Sequence, residues 1–324
     1  MRRSSSSGGT PFISLLEPHP LTGWDRTLPA DEQPDLDSLP RTFVDAMRVR
    51  QEVFVQEQNV PLANEFDADD PRSCHWVIYA SVNKTVEPAR TDPVTGKIIQ
   101  PRRSETQSVP IGTIRLVPFP HPPHPLDGGV YVDGELVNSG EPVARVHSIH
   151  PAAGGERTTS QYSSNSTSPT LPNSQIVPPA PPSLIKPAFT PDRPTTYHDG
   201  VEPYLKLGRL AVIPAFRGRG IAQQLIKTAV AWARSHPEYF NPSATEQGFE
   251  QLGMEEGSRM RGGGVVPRWQ GLICVHAQVE AIKVWERCGF VLDEGMGKWM
   301  EEGIPHVGMF LRVSLDKRED EFTI

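Results

Sequence analysis

The chain has 324 residues, 37% of them hydrophobic, which is enough for one large domain or two ordinary ones with a real core. Its 32 basic and 39 acidic residues leave a net charge of -7 without a basic stripe, which argues against a nucleic-acid partner. No run approaches the roughly 18 apolar residues of a membrane span, and the opening MRRSSSSGG lacks the apolar centre of a secretory signal; a cytoplasmic protein without a membrane partner is expected, with a nuclear pool allowed.

In chain order, residues 1–40 read as an N-terminal extension. TFVDAMRVRQEVFVQEQ follows with helix-compatible apolar positions at Val44, Met47, Val49 and Val53. HWVIYASV and IGTIRLVPF have strand character, and the stretch between them, about 82–109, reads as a surface excursion. From 119 to 202 comes a second insertion: 17 of the 34 prolines lie between Pro118 and Pro203, mixed with TTSQYSSNSTSPT and PPAPPS, a composition without apolar periodicity and so expected to be disordered. HPPHP, His121–Pro125, falls in this context and is read with it rather than as a ligand set.

YLKLGRLAVI is a third strand, and Ile221, Leu225, Ala229, Trp232 and Ala233 form one apolar face of a helix. A third excursion at about 241–268 precedes GLICVHA, a buried strand, and QVEAIKVWERC, a helix stopped by Gly289. MGKWMEEGIPHVGMFLRV makes a closing hairpin with its turn near Glu302–Pro305, and 316–324 is a C-terminal tail. Without the extension and the insertions about 140 residues remain, one ordinary domain over 41–315. Strands and helices alternate late in the chain but not early, which predicts an α+β fold with a central mixed sheet flanked by helices. Cys74, Cys274 and Cys288 are far apart and odd in number, so neither a disulfide framework nor a paired Cys-x-x-Cys zinc site is available, and no metal is expected.

The stretch LGRLAVIPAFRGRGIAQQLIKTAVAWA, Leu207 to Ala233, poses the functional question: a strand meets a knot of arginine and glycine, and a helix starts with no ordinary capping residue. A helix N-terminus offers unsatisfied N–H groups and partial positive charge, and glycines let an anion approach them closely. Arg217, Gly218, Arg219 and Gly220 occupy that turn, so a pyrophosphate is the natural guest. A dinucleotide fingerprint would need a third glycine at Gln223, and a P-loop would need a Gly-Lys-Ser/Thr ending. The competing reading is a softened turn with two solvated arginines.

RGRGIA, Arg217–Ala222, resembles the Arg/Gln-x-x-Gly-x-Gly/Ala signature of the GNAT superfamily of N-acetyltransferases, with a strand before it and a long helix after it. AQVEAIKVWERCGFV is similar to a later motif of that family, with Gln278 where Asn is usual, Ala281 at the small position and Gly289-Phe290 at the end. VRQEVFVQEQNVPLANEFDADD and EEGIPHVGM resemble the opening and closing segments of the narrower ElaA-like acyltransferases, and the first is distantly similar to acyl-homoserine-lactone synthases.

The resemblance implies acetyl-CoA as cosubstrate and direct attack of an amine on the thioester. Leu210, Ala211 and Val212 would pair with the pantetheine arm, and the amides of Arg217, Gly218, Arg219, Gly220, Ile221 and Ala222 would hold the pyrophosphate. Gln278 and Trp285 would also border the cofactor. Trp285 stands where many members have a proton-donating tyrosine, which predicts a slower enzyme rather than a dead one. The candidate catalytic groups are Glu57, favoured, and His306, with Asp67 and His75 also in family-like segments. Each has a plainer role available: Glu57 in a pair with Arg50, His75 as a strand histidine, His306 as a shaper of the hairpin. Glu65, Asp67 and Asp70 would suit a cationic amine or form a solvated loop. A small-molecule primary amine is the favoured acceptor, with a protein N-terminus or lysine as a second reading and a non-catalytic acyl-CoA-binding module as a third.

Overall fold

The computed structural model describes residues 12–139, 191–241 and 268–315. Strand β1 (Phe12–Leu16) is followed by helix α1 (Arg41–Arg50) and the long strands β2 (Cys74–Glu87) and β5 (Arg103–Val117), which enclose the short β3 (Arg90–Thr91) and β4 (Ile98–Gln100). Next come β6 (Gly129–Val132) and β7 (Glu135–Ser139), then β8 (Leu205–Val212), α2 (Ile221–Ser235), β9 (Leu272–Gln278), α3 (Ile282–Glu286), β10 (Val291–Leu292), β11 (Lys298–Glu301) and β12 (Ile304–Arg312).

Ten of these strands form one sheet in the order β1-β2-β5-β8-β9-β12-β11-β6-β7, with β10 also on β12. The pairing is antiparallel except between β8 and β9 and between β6 and β11, which is the mixed sheet the element order predicts. On one face α2 lays Ile221, Leu225, Ile226, Ala229 and Ala233 over Trp76, Ile78, Ile114, Leu205 and Leu207. The approach is close because Gly112 lies beneath it: a Cβ there would stand 3.1 Å from the Leu225 side chain and from the Ala211 carbonyl. On the other side α1 buries Phe43, Val44 and Met47 against Leu21, Ala30 and Leu39.

That last contact departs from the sequence expectation for residues 1–40. Phe12–Leu16 pairs along β2 in unbroken register, and Leu21, Ala30 and Leu39 form a core with α1, so the described part of the extension is built into the domain. Residues 82–109 are mostly exposed and are largely paired strands, with register running from Val82↔Gln107 to Glu87↔Arg103. Of the stretch 119–202, residues 119–139 and 191–202 are described and are pinned: β6 joins β11, and Arg193 donates to the carbonyls of Pro125, Gly295 and Met296. The proline-rich centre at 140–190, most of 241–268 and the tail 316–324 lie outside the described residues.

The helix predicted over TFVDAMRVRQEVFVQEQ, from Thr42, begins at Arg41 and changes character halfway. After α1 the chain continues without a break as a π-helical segment, Gln51–Glu57, closed by the bond from the Gln58 N–H to the Val53 carbonyl. Such wide turns are uncommon and concentrate at functional sites. The closing hairpin turns at Glu302 (φ 50°) and Gly303 (φ 76°). Two consecutive left-handed residues make the tight two-residue turn that matches strand twist.

Candidate functional site

Strands β8 and β9 run side by side only for Leu205↔Ile273, Lys206↔Cys274 and Leu207↔Val275. Beyond Leu207, β8 stays with β5 on its other edge, pairing Ala211 with Thr113 and Val212 with Gly112. A register shift between Thr113 and Arg115 places a bulge in β8 at Arg209, whose φ is 50°. A bulge twists the strand that carries it, and here it coincides with the parting from β9. The two strands therefore open at their carboxyl ends, where parallel sheets form ligand crevices, and Leu210–Val212 present a backbone edge toward β9 with no ladder partner there.

The strand ends beside the start of α2. Gly218 (φ 73°) and Gly220 (φ 78°) are left-handed, and a Cβ at either would meet nothing within 4 Å. Gly220 is the residue before the helix, and no side chain caps it; the first helical bond at this end is Gln224 N–H to the Gly220 carbonyl at 3.0 Å. The amides of Ile221, Ala222 and Gln223 thus lack intrahelical acceptors. This explains the missing capping residue: glycine supplies the backbone geometry at the helix start, and no side chain takes up the first amides. A shallow groove continues along Gln223, Gln224, Lys227 and Thr228 on the exposed side of α2.

The side chains of the knot are used differently from expectation. Arg217 donates to the Val212 carbonyl (2.9 Å) and grips the Glu57 carboxylate with both Nη atoms (2.7 and 2.5 Å), so its charge is not in the glycine turn. Arg219 lies over the Phe216 ring, its guanidinium carbon 5.3 Å from the centroid, and is exposed. Ile221 faces the main core, with Ala222 and Leu210 packed at its edge, while Ala211 packs with Val49 and Val53. Trp285 is 3% exposed and meets Phe290 edge-on at 5.1 Å inside that core, so it is a packing residue rather than a wall of the crevice.

Glu57 sits at the end of the π-helical segment, and the Arg217 hydrogen bond that occupies its carboxylate lowers its pKa. Arg50 is occupied elsewhere: it is fully buried and binds Glu65 (2.6 Å) and Asp70 (2.7 Å). Arg115 joins Asp67 (2.6 Å) to Asp70 (2.8 Å), and Arg209 reaches Asp67 (2.9 Å) from the bulge. Three arginines thus neutralise three carboxylates, which corrects both readings of the acidic cluster. Glu65, Asp67 and Asp70 are neither a cation site nor a solvated loop but a structural network joining α1, β5 and the β8 bulge. Burial opposes the Asp67 charge, yet Arg115 and Arg209 hold its pKa down to about 2. His75 is bonded to the Asp70 carbonyl (2.9 Å), and burial pushes its pKa down to about 4.

At the open end of β9 a second polar group stands on the sheet. His276 places Nδ1 3.0 Å from the Glu301 carboxylate, which also accepts from the Trp299 indole at 2.7 Å. His306, on the next strand, keeps Nε2 3.9 Å from the same carboxylate while its Nδ1 lies 2.9 Å from the Ile304 carbonyl. Burial pushes the His276 pKa down to about 4, and the neighbouring Lys206 adds to that; its Nε2 is buried without a partner. Against the effect of burial, the His276 hydrogen bond holds Glu301 well below the ordinary carboxylate range. Gln278 exchanges two amide bonds with Gln58 (2.9 and 3.2 Å), and Asn64 bonds Glu302, so the loop after the π segment is tied to β9 and the hairpin turn across the opening. Sequence reading found His306 and Gln278 but not His276 or Glu301; the signal was present, since His276 is the one strongly polar residue in GLICVHA.

No curated protein matches the chain in sequence. Among solved structures, a Lactobacillus plantarum protein described as an N-acetyltransferase is 16% identical, with 94% of this chain and 99% of that one covered and a TM-score of 0.38. An acyl-CoA N-acyltransferase from Pseudomonas aeruginosa is 14% identical, with 94% and 100% covered and a TM-score of 0.36. Escherichia coli ElaA is 13% identical, with 92% and 99% covered and a TM-score of 0.36. Residues 189–245, which contain β8, the glycine turn and α2, match the family model described as Acetyltransferase (GNAT) family. Over residues 189–245 the chain is thus similar to the GNAT family of acetyltransferases, whose acyl donor is acetyl-CoA.

Proposed function

We propose that the protein is an N-acetyltransferase that moves an acetyl group from acetyl-CoA to a primary amine of a small molecule. The observation that carries this reading is the parting of β8 from β9 after Leu207, directly beside the uncapped, glycine-opened start of α2. A long thiol ester with a pyrophosphate at one end needs both features in line. The free edge of Leu210–Val212 pairs with the pantetheine arm, and a backbone N–H of that edge meets the oxyanion that develops on the thioester carbonyl. The amides from Gly218 to Ala222 take the pyrophosphate, the Arg217 N–H being held by the Pro214 carbonyl at 3.2 Å, and the glycines leave room for it.

The amine must reach the carbonyl without its proton. Of the two catalytic candidates read from the sequence, Glu57 is tied to Arg217, whereas His306 belongs to the polar group at the open end of β9. Within that group His276 holds its Nδ1 toward an ionised carboxylate and keeps Nε2 unbonded, an arrangement suited to accept a proton. His276 takes the proton from the attacking nitrogen, Glu301 orients the ring and stabilises its charge, and His306 flanks the same carboxylate. The nitrogen bonds to the carbonyl carbon, the carbon–sulfur bond breaks, and CoA departs as a thiolate. Trp285 contributes no proton to it, being enclosed in the core; thiolate is a good leaving group without one.

Thiol release from acetyl-CoA against a panel of primary amines, with the acetylated product identified by mass, tests the reading. Release matched mole for mole by N-acetyl amine supports it. Binding of acetyl-CoA with no release to any amine or peptide contradicts it and favours a non-catalytic acyl-CoA module.

A further inference from the structure

Away from the crevice, two histidines and an aspartate converge where the chain enters and leaves residues 140–190. His124 Nε2 lies 2.8 Å from His198 Nδ1 and 3.6 Å from Asp192 Oδ2, and the three ligand atoms all lie within 4.8 Å of one another. We propose that His124, Asp192 and His198 form a zinc site that clips the segment before residues 140–190 to the segment after them.

The donor set suits zinc: two imidazoles and one carboxylate, leaving a fourth tetrahedral position for water. Ligand atoms of tetrahedral zinc stand roughly 3.4 Å apart when each bond is about 2.0–2.1 Å. The observed 2.8 and 3.6 Å bracket that spacing, so the ion enters after small side-chain movements. Both rings are nearly enclosed, at 3% and 4% exposure. An outer contact orients His198 as a zinc ligand requires: its Nε2 lies 2.9 Å from the Glu202 carbonyl, which must therefore receive an N–H and leaves Nδ1 as a lone pair. The same carboxylate oxygen that faces His124 Nε2 also accepts the His124 backbone N–H at 2.6 Å, and the other oxygen accepts that of Arg193.

The proton balance closes without release. With no metal the His124 Nε2–H donates to His198 Nδ1; when zinc binds, that proton moves to His124 Nδ1. This nitrogen is buried without a protein partner in either tautomer, so the shift leaves the same polar atom unpaired. The two histidines are 74 residues apart, and joining them in the folded state alone stabilises that state by linkage. Tyr204, against which both rings pack at 5.4 and 5.1 Å, immediately precedes β8, so the clip braces the base of the strand whose far end parts from β9. HPPHP, read from the sequence as part of a proline-rich insertion, thus contains a ligand.

The test uses the full chain stripped by chelator, then titrated with Zn2+ against a chromophoric competitor and separately with Co2+. The expected result is one ion per chain, a rise in melting temperature on adding Zn2+, and cobalt absorption typical of a tetrahedral nitrogen–oxygen site. Asp192→Asn and His198→Gln lose about ten-fold or more in zinc affinity, and with it the zinc-dependent rise. Asp192→Asn keeps the size of the side chain but turns one of its two acceptors of a backbone N–H into a donor, so a lower metal-free melting temperature is expected; an unchanged far-UV spectrum shows that the variant folds, and the zinc-dependent rise is read against its own metal-free value. Absence of zinc binding and of any melting shift in the wild type overturns the proposal, as does equal zinc affinity in wild type and Asp192→Asn.

Discussion

Glu57 and Arg217, 160 positions apart, form a two-pronged ion pair that ties the end of the π-helical segment to the glycine turn. Each partner sits in a segment singled out by sequence reading, one as a base and the other as a phosphate ligand, and each has its charge satisfied by the other. Their side chains are 40% and 43% exposed, which makes the pair a weak contributor to stability.

Glu57→Gln is accordingly expected to change stability by less than about 1 kcal/mol and to lower kcat by less than about three-fold, since the loss of an exposed pair is worth a fraction of a catalytic base. Steady-state kinetics and a denaturant melt check both. A loss of about a hundred-fold in kcat would return Glu57 to the role of base.

Gly220 has a left-handed backbone with open space where a Cβ would go. Gly220→Ala meets only conformational strain, about 1–2 kcal/mol, and keeps most of the affinity for acetyl-CoA. Gly220→Asp adds the same strain and a carboxylate beside the free amides of α2, so calorimetry should show binding lost by about a hundred-fold or more. Equal effects of the two substitutions would mean that charge at the turn is irrelevant.

His276→Ala and Glu301→Gln should lower kcat by about a hundred-fold, with Kd for acetyl-CoA nearly unchanged. Because burial keeps His276 neutral down to about pH 4, the rate above about pH 5 follows the un-ionised fraction of the amine. A plot of log kcat/KM should then rise with unit slope up to the pKa of the amine. A bend near pH 6.5, the ordinary histidine value, would contradict the environment described for His276.

Stability should fall on acidification. His75 and His276 have folded-state pKa values of about 4, below the ordinary histidine value, so the unfolded chain binds protons first as pH drops. Their contribution is fully present above about pH 6.5 and is lost progressively down to about pH 4; for His75, 1% exposed, the shift corresponds to about 3 kcal/mol. Asp67, with its pKa held down to about 2, adds a second loss below about pH 4. Melting temperatures measured from pH 8 to pH 3 should show both stages; a flat profile between pH 7 and pH 4.5 contradicts the first.

Much of the fold was legible because local period and composition carry it. The apolar face of Ile221–Ala233 needs only one helix to be read, and the change from strand to helix at the Gly-Arg turn is announced by neighbouring residues. What stayed hidden depends on distant partners. Phe12–Leu16 has no alternation of its own and becomes a strand by pairing with β2. Glu65, Asp67 and Asp70 look solvated until Arg50, Arg115 and Arg209 arrive from three other elements. The bulge at Arg209 is a backbone feature that arginine does not advertise.

The crevice between β8 and β9 is the centre of the account, and titration of acetyl-CoA into the purified full chain, with Gly220→Asp alongside, tests it most directly. One saturable site per chain that the substitution abolishes, in a protein that still melts cooperatively, is the predicted result. A folded wild-type chain that takes up no acetyl-CoA, or a Gly220→Asp variant that binds it equally well, contradicts the assignment of the glycine turn and the transferase reading built on it.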